Sequence, residues 1–323
     1  MRARTANVVR QMALASTVLC VFLFTQSCQL KPTDTLTVTA FEGGTSSPSG
    51  VVSVKEGAET TIQAIPTSGF SFVCWIVQSG TAQLQSATAA STTVSLTSGD
   101  ANVMAMFAHS GSSIPSGYIA NYPFDGNAVD ASGDGLNGTV YGATAVTDRF
   151  GNANGALFFS GSNSYVQTIP SSSIPASLSV GLWVRPTALN RQVWGSIYDP
   201  SGGKNGWVTW LGGDGSISFQ RYYNNAASNS ITSPTGEVAL NQWSYLVFTF
   251  DGSTGNAAIY VNATQVASGV LSILTNGNDT PLTFGISALL QSYYFYSGSM
   301  DGVRVYNRAL TSSEVYDLYT NGG

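Results

Sequence analysis

Hydrophobic and polar residues alternate in short runs along most of this chain, and Gly, Pro, Ser or Asp residues separate the runs. Because a strand points successive side chains to opposite faces, alternation of this kind is typical of short strands joined by tight turns. The first series of runs predicts a small all-β domain over residues 35–108. Its strands are expected at 36–40, 51–54, 60–65, 70–77, 92–96 and 102–107.

A second series of runs begins near Gly117, after a Ser-, Gly- and Pro-containing stretch at 109–116 that we interpret as a linker. One helix is expected near the end, where Thr311 and Glu314 form a capping-box pattern. About ten strands without a long helix predict a two-sheet antiparallel β-sandwich over 117–323. Its strands are expected at 118–122, 156–159, 178–184, 193–198, 207–211, 216–222, 243–250, 257–261, 282–286 and 300–306.

Three local patterns in the second series make further predictions about packing. Leu246, Phe248 and Phe250 lie on one face of the run at 245–250, and Tyr245, Val247 and Thr249 lie on the other. This arrangement predicts a central strand that is covered on both sides. Trp183 and Trp243 lie in such apolar runs and are expected to pack in the core. At Asn262-Ala263 a glycine would favour a tight type I′ turn, so alanine there predicts a longer turn.

The N-terminal segment predicts export. Residues 1–27 have a basic start and an apolar stretch at 12–24, which is typical of a signal peptide and shorter than a membrane-spanning helix. The sequence TQSC at 25–28 resembles the lipobox of bacterial lipoproteins, with Thr25 where Leu is usual. That resemblance implies lipidation of Cys28, with ordinary cleavage as the alternative, and residues 28–34 would form a tether.

Composition and charge exclude several classes of function. The net charge is −5, so a nucleic acid is not an expected partner. His109 is the single histidine, which excludes a histidine-based triad or a His-rich metal site inside one copy of the second domain. Cys74 lies in an apolar run and would be left unpaired after signal cleavage, so we expect a buried, inert thiol.

The first domain runs from LTVTAFEGGTSSPSG through VKEGAETTIQAIPTSGFSFVCWIV to NVMAMFA. Over nearly this whole segment it resembles the divergent internalin-B-type repeat domains of bacterial surface proteins. In such domains the tryptophan after the Gly-aromatic turn, here Trp75, belongs to the core. The resemblance implies a spacer, and we place no chemistry in this domain.

Five ordered blocks stand out in the second domain: YPFDGNAVDASGDGLNG (122–138), TDRFGNANGALFFSG (147–161), GLWVRP (181–186), NQWSYLVFTFDG with AIYVN (241–262) and GSMDGVRVYNRAL (298–310). Together these blocks resemble the laminin-G-like, concanavalin-A-superfamily modules of bacterial surface proteins. That resemblance implies a jelly-roll sandwich that binds carbohydrate.

A structural calcium ion is the one cofactor that the sequence suggests. Oxygen-bearing side chains crowd the loop at 125–134, and hard cations favour such ligands. Tyr141 stands where an EF-hand loop would need its bidentate glutamate, which excludes an EF-hand. The family resemblance adds Asp301, although Gly302 replaces an acidic residue that is common there. The predicted metal ligands are Asp125, Asp130, Asp134 and Asp301, with Asn127 and Ser132 beside them; turn formation is the alternative role.

Two clusters of aromatic and polar residues are candidate sugar-binding sites, because sugars stack on aromatic rings and hydrogen-bond to polar side chains. Half of the residues in any strand point inward, so core packing is the alternative role for members of both. The first cluster is Trp194, Tyr198, Asp199, Trp207, Trp210, Arg221, Tyr222, Tyr223 and Asn224. The second is Tyr293, Tyr294, Phe295 and Tyr296.

The sequence favours a non-catalytic, lipid-anchored protein at the outer membrane or cell surface that binds carbohydrate or a cell-surface glycoconjugate. A structural or adhesive module that binds protein is the first alternative. A glycoside hydrolase or lyase is the second, and it would need a pair of carboxylates across a groove. Glu237 and Glu314 are the only glutamates of the second domain and do not form such a motif.

Overall fold

The alternating runs before residue 110 form one sheet in the computed structural model, which describes residues 33–168, 176–189, 192–197, 206–223, 226–273, 282–286 and 295–321. The sheet has six strands in the order β2-β4-β6-β1-β3, with β5 paired to β6. All pairs are antiparallel except β1 with β6. The strands are β1 (Thr33–Ala40), β2 (Gly44–Ser47), β3 (Gly50–Lys55), β4 (Thr60–Pro66), β5 (Phe70–Leu84) and β6 (Ser91–His109).

The second domain is an antiparallel sandwich of two sheets. Its eight-stranded sheet has the order β19-β18-β17-β12-β21-β10-β9, with β7 paired to β21, and its seven-stranded sheet has the order β16-β15-β14-β13-β20-β11-β8. The strands are β7 (Tyr118–Tyr122), β8 (Gly138–Tyr141), β9 (Thr144–Val146), β10 (Ala156–Ser160), β11 (Tyr165–Thr168), β12 (Leu178–Pro186), β13 (Gln192–Ile197), β14 (Gly206–Leu211), β15 (Ile217–Tyr223), β16 (Ala226–Thr232), β17 (Ser244–Phe250), β18 (Asn256–Val261), β19 (Thr264–Val270), β20 (Thr283–Phe284) and β21 (Ser297–Tyr306).

The predicted all-β class is therefore confirmed, and the core lies where the alternation places it. Inward residues of both sheets of the sandwich form one hydrophobic cluster, which includes Leu246, Phe248 and Phe219. Every residue of β17 is buried, as expected for a central strand that is covered on both sides. Trp75 and Trp183 are also buried, which confirms their predicted core packing.

The C-terminal helix α1 (Ser312–Thr320) begins where the capping-box pattern predicts. The Thr311 hydroxyl accepts a hydrogen bond from the Glu314 backbone N–H, and the Glu314 carboxylate accepts one from the Thr311 N–H. Arg308 also pairs with this carboxylate and lowers the pKa of Glu314 to about 2. No helix in the described part of the chain is long and apolar enough to cross a membrane.

The repeat domain and the sandwich share a second hydrophobic cluster, which the prediction of a spacer did not include. On the sandwich, this cluster covers the outer face of the eight-stranded sheet, where Trp183 and Tyr245 lie. Two layers cover that face. Helix α1 contributes Val315, Leu318 and Tyr319, and the strands β5 and β6 contribute Cys74, Ile76, Met104 and Met106.

Backbone hydrogen bonds join the two domains beside this shared cluster. The Val77 N–H donates to the Arg149 carbonyl at 2.7 Å, and the Trp243 N–H donates to the Gln78 carbonyl at 2.8 Å. Phe41 of the repeat domain packs edge-on against Tyr319 of the helix, with 5.0 Å between ring centroids. Strands from both domains thus meet through ordered main-chain contacts as well as through apolar side chains.

Cys74 and Trp243 lie inside this junction. Cys74 is a free, buried thiol, as predicted, and burial raises the pKa of Cys74 to about 11. Trp243 is a core residue, as expected, but it precedes β17 and packs in the shared cluster. His109, the last residue of β6, packs against Phe70 and Tyr316 with tilted rings, whose centroids are 4.6 and 5.1 Å from that of the imidazole. The histidine is therefore a packing residue at the junction.

The expectation of a longer turn after Asn262 is wrong. β18 ends at Val261 and β19 begins at Thr264, so Asn262 and Ala263 form a two-residue turn, with φ of 49° and 66°. A type I′ turn needs positive φ at both positions. Asn262 supports it because its side-chain oxygen accepts a hydrogen bond from the Tyr245 N–H at 2.8 Å. The alanine adopts a conformation that glycine would adopt with less strain.

Several short strands of the structure were not predicted from the sequence. β8 and β11 have only four residues each, and no strand was predicted over the residues of β9, β16 and β19. The opposite error occurs at β6, where two predicted strands form one strand of 19 residues. Long strands such as β5 and β6 pair through repeated register shifts, which interrupt simple alternation.

Candidate functional site

The outer face of the seven-stranded sheet is the candidate binding surface. The register of β8 with β11 shows which side chains lie on this face. Val140 of β8 lies opposite Val166 of β11, and both point into the core. Their neighbours along each strand therefore point outward. None of the hydrophobic clusters formed by the described residues includes a residue of this face. Its partly or fully exposed members are Thr139, Tyr141, Tyr165, Gln167, Trp210, Ser218 and Gln220.

A pair of tyrosines forms the aromatic part of this face. Tyr141 on β8 lies directly opposite Tyr165 on β11, and their rings stack at 4.5 Å with an angle of 16° between planes. The Tyr141 side chain remains 41% exposed. Burial and the neighbouring Tyr141 raise the pKa of Tyr165. The pair thus offers apolar ring surface and hydroxyl groups beside Gln167 and Thr139.

The other end of the same face is formed by β14 and β15. Trp210 opposes Ser218, and Val208 opposes Gln220. Trp210, Ser218 and Gln220 are half-buried, whereas Val208 is buried. Aromatic and amide groups therefore reach solvent at two separated parts of the sheet.

Of the first predicted cluster, only Trp210 has a described side chain on this surface. Trp207 and Arg221 point inward, where Trp207 packs against Phe219 and the Arg221 guanidinium lies 4.8 Å from the Phe250 ring centroid. Burial lowers the pKa of Arg221 to about 10. The prediction that Trp207 and Arg221 contact a sugar is therefore wrong, because neither has an accessible surface.

The second predicted cluster needs a similar correction. Tyr296 is fully buried, with its ring packed edge-on against Phe159 and its hydroxyl donating to the Ser299 carbonyl. Its prediction as a sugar-binding residue is wrong for the same reason. Phe295 is half-buried. The side chains of Trp194, Tyr222 and Tyr223 and the whole of Tyr198, Asp199, Asn224, Tyr293 and Tyr294 lie outside the described residues.

Asp130, one of the four predicted metal ligands, organises its own loop. Its carboxylate accepts hydrogen bonds from the backbone N–H groups of Asn121, Ser132 and Leu136 at 2.9 to 3.0 Å, and from the Ser132 hydroxyl at 2.7 Å. Burial opposes ionisation, but these bonds outweigh it and lower the pKa of Asp130. This is the turn-forming role that the sequence left open as the alternative.

Asp301, another predicted ligand, pairs with a buried arginine. Its carboxylate accepts a hydrogen bond from Arg149, whose guanidinium also lies 4.2 Å from the Phe150 ring centroid and 5.0 Å from that of Trp183. Burial raises the pKa of Asp301 to about 6 against the attraction of Arg149, and the nearby carboxylate of Asp148 adds to this rise.

The remaining predicted ligands do not complete a metal site. Asp125 and Asp301 border one notch of about 160 Å³ with Asp148, Arg149 and Arg304, whereas Asp130 does not line it. Asp134 is exposed. Among the described residues, no group of three or more His, Cys, Asp or Glu side chains is arranged to hold a metal ion. Calcium therefore stays a prediction of the sequence.

Tyr141 and Tyr165 were not among the ligand-binding residues predicted from the sequence. Each lies in a four-residue strand, where one polar-apolar alternation gives little signal. Their pairing joins segments 24 residues apart, and only the register of β8 with β11 reveals it. The predicted lipidation site Cys28 and the predicted signal peptide lie outside the described residues.

The described residues define an antiparallel β-sandwich whose seven-stranded sheet exposes polar and aromatic side chains on its outer face at β8 and β11 and again at β14 and β15. Residues 159–316 match the family model of the concanavalin A-like lectin/glucanases superfamily, and residues 34–111 match that of the divergent InlB B-repeat domain. Both resemblances predicted from sequence are thereby confirmed. No curated protein matches the chain significantly.

Solved structures show similar sandwiches at low sequence identity. The serotype D botulinum neurotoxin ligand-binding domain, in complex with N-acetylneuraminic acid, has a TM-score of 0.50 and 17% identity, and covers 62% of this chain and 50% of its own. Domain 4 of a GH43 extracellular arabinanase from Geobacillus stearothermophilus, in complex with arabinotriose, has a TM-score of 0.49 and 22% identity, covering 63% of this chain and 98% of its own. The match therefore spans about half of the toxin domain.

Proposed function

We propose that this chain is an exported, lipid-anchored surface protein whose concanavalin A-like domain binds carbohydrate without catalysis, through the outer face of the seven-stranded sheet. The stacked, exposed pair of Tyr141 and Tyr165 is the observation that carries the proposal. Sugars offer apolar C–H faces that stack on aromatic rings and hydroxyl groups that bond to nearby polar side chains. Gln167, Ser218 and Gln220 supply such polar groups on the same face.

Two further observations support this choice of surface. The opposite sheet has its outer face covered by helix α1 and the repeat domain, so it offers no comparable area to a ligand. The family match is to lectins and glucanases, and one structure of the same fold, the toxin domain, holds N-acetylneuraminic acid. Fold alone does not define a ligand, so the proposal depends on the residues of this chain.

The contacts of three carboxylates, Asp130, Asp301 and Glu314, support a binding role over hydrolysis. A glycoside hydrolase needs one acid and one nucleophile or base on either side of the bond. Asp301 is paired with Arg149, and Glu314 is held by Thr311 and Arg308. Asp130 is occupied by backbone N–H groups. Each of these three carboxylates is therefore engaged in hydrogen bonds or ion pairs within the fold.

A glycan-array screen of residues 29–323 tests the proposal. The repeat domain must be kept because it covers one face of the sandwich. We expect saturable binding to at least one glycan, and a loss of at least tenfold in affinity in Tyr165→Ala. Leu240→Ala, which trims an exposed apolar side chain outside this face, is the matched control and should bind like the unmodified chain. Absence of binding to every glycan on the array would instead favour the adhesive, protein-binding alternative.

The lipid anchor is tested separately. Mass spectrometry of the protein expressed with its N-terminal segment should find a diacylglyceryl group on Cys28, and Cys28→Ser should release the protein from membranes. Cleavage without lipidation would contradict the anchor and leave the binding proposal intact.

A further inference from the structure

A cleft of about 250 Å³ lies where the repeat domain meets the sandwich, away from the outer face of the seven-stranded sheet. The repeat domain contributes Thr81, Gln83 and Thr97 to its walls, and the sandwich contributes Thr147 and Arg185. Backbone hydrogen bonds from Val77 and Trp243, both of which also line the cleft, hold the two walls together. The cleft is therefore built into the junction of the domains, and the loop between β9 and β10 supplies Thr147, Asp148, Gly151 and Ala153 to its sandwich side.

Arg185 fixes the geometry of this cleft. Its Nε donates to the Asn241 carbonyl of the sandwich at 3.0 Å, and one terminal nitrogen donates to the Gly80 carbonyl of the repeat domain at 3.3 Å. A guanidinium has five N–H groups, so these two bonds leave donors for a ligand. Gly80 has φ of 79°, and an added Cβ would lie 2.1 Å from the Asp100 carbonyl oxygen, so this wall requires glycine.

The lining indicates a small, neutral and hydroxyl-rich ligand. Hydroxyl and amide groups of the walls alternate with the apolar surfaces of Val77, Ala82, Ala153 and Trp243. Arg185 and Asp148 both line the cleft, so its walls carry one positive and one negative side chain. The volume is below the range of roughly 300–1,000 Å³ that drug-sized ligands occupy. Such a cleft suits one pyranose or furanose ring, with its apolar C–H face and its polar hydroxyl edge.

We propose that this cleft between the domains binds a single neutral sugar residue, in a site to which the repeat domain and the sandwich both contribute. The site is independent of the carbohydrate surface proposed above. It gives the repeat domain a part in recognition, because Thr81, Gln83 and Thr97 would contact the ligand directly.

Ala153→Trp tests this proposal, because Ala153 is exposed at the cleft and a tryptophan there would fill it without entering the core. Ala58→Trp is the matched control, since Ala58 is exposed and lies outside the cleft. The probes are the methyl glycosides of glucose, galactose, mannose, arabinose and N-acetylglucosamine. Binding is followed by the backbone amide signals of Thr81 and Thr147 in ¹⁵N-labelled residues 29–323.

We expect at least one glycoside to shift both signals saturably, with affinity reduced at least tenfold in Ala153→Trp and unchanged in Ala58→Trp. Equal melting temperatures of the two variants would show that both fold. Absence of shifts for all five glycosides, or unchanged binding in Ala153→Trp, would overturn the proposal. So would loss of the shifts in Tyr165→Ala, because it would place the glycoside on the outer face of the seven-stranded sheet.

Discussion

The two outer faces of the sandwich carry similar residues and have opposite surroundings. The eight-stranded sheet points Trp183, Tyr245 and Tyr306 outward, and all three are buried under helix α1 and the repeat domain. The seven-stranded sheet points Tyr141 and Tyr165 outward, and both reach solvent. Alternating aromatic residues therefore do not distinguish a docking face from a binding face. What separates them is which other element of the chain packs on each sheet.

The largest expected effect comes from placing a charge in the covered face. Met106→Asp would bury a carboxylate in the cluster shared by both domains, and we expect it to lower the free energy of unfolding by about 4 kcal/mol or more. Gln220→Asp on the outer face of the seven-stranded sheet is the control, with an expected change of about 0.5 kcal/mol or less. Urea denaturation followed by tryptophan fluorescence measures both. Equal effects would show that the two faces do not differ.

A second prediction concerns the ion pair inside the covered face. The pKa of Asp301 is raised from 3.8 to about 6, so the native state binds a proton more readily than the unfolded chain between these values. The stability that this group contributes is thus present at low pH and lost as the pH rises from about 4 to about 6. Relative to Asp301→Asn, the unmodified protein should lose on the order of 2 kcal/mol across this window.

Denaturation curves of both proteins at pH 4, 5, 6 and 7 check this expectation. A gain in relative stability of the unmodified protein with rising pH would mean that Arg149 stabilises the carboxylate by more than burial costs. Asp134→Asn serves as the control, because Asp134 is exposed and does not line the notch that holds Asp301.

A third, smaller effect is expected at the hairpin on the edge of the eight-stranded sheet. Ala263→Gly should raise the free energy of unfolding by about 1 kcal/mol, because glycine adopts the observed φ of 66° without the clash of a Cβ atom. Ala90→Gly, at an exposed position that is not among the residues with positive φ, should lower it slightly. Stabilisation by both variants, or by neither, would show that the turn is not strained.

The smallest expected effect is that of calcium. Hydrogen bonds and an arginine already engage Asp130 and Asp301, so chelation should shift the melting temperature by less than about 1 °C. A scanning-calorimetry comparison with and without chelator measures this. A fall of several degrees would instead support the calcium predicted from the sequence, with Asp125 and Asp134 as the exposed carboxylates to mutate.

The sequence was sufficient for features that depend on local pattern. The all-β class, the capping box at Thr311 and the fully buried strand around Phe248 follow from alternation and spacing. The docking of the repeat domain onto the sandwich does not follow from such local patterns. The residues around Ile76 and Met104 have the same apolar pattern as residues of an ordinary domain core. The same limit explains the errors at Trp207 and Arg221. Trp207 lies on β14 and Arg221 lies on β15, and each has neighbours along its strand that point outward. Only the register of β14 with β15 shows which side chains of the two strands point inward.

Hydroxyl-radical footprinting of residues 29–323, with and without the strongest glycan from the array, tests the central claim most directly. We expect the glycan to protect Tyr141, Tyr165 and Trp210 from oxidation and to leave Phe41 and Tyr316 at the covered face unchanged. Protection at Phe41 and Tyr316, with Tyr141 and Tyr165 unaffected, would contradict it and place the glycan at the junction of the two domains.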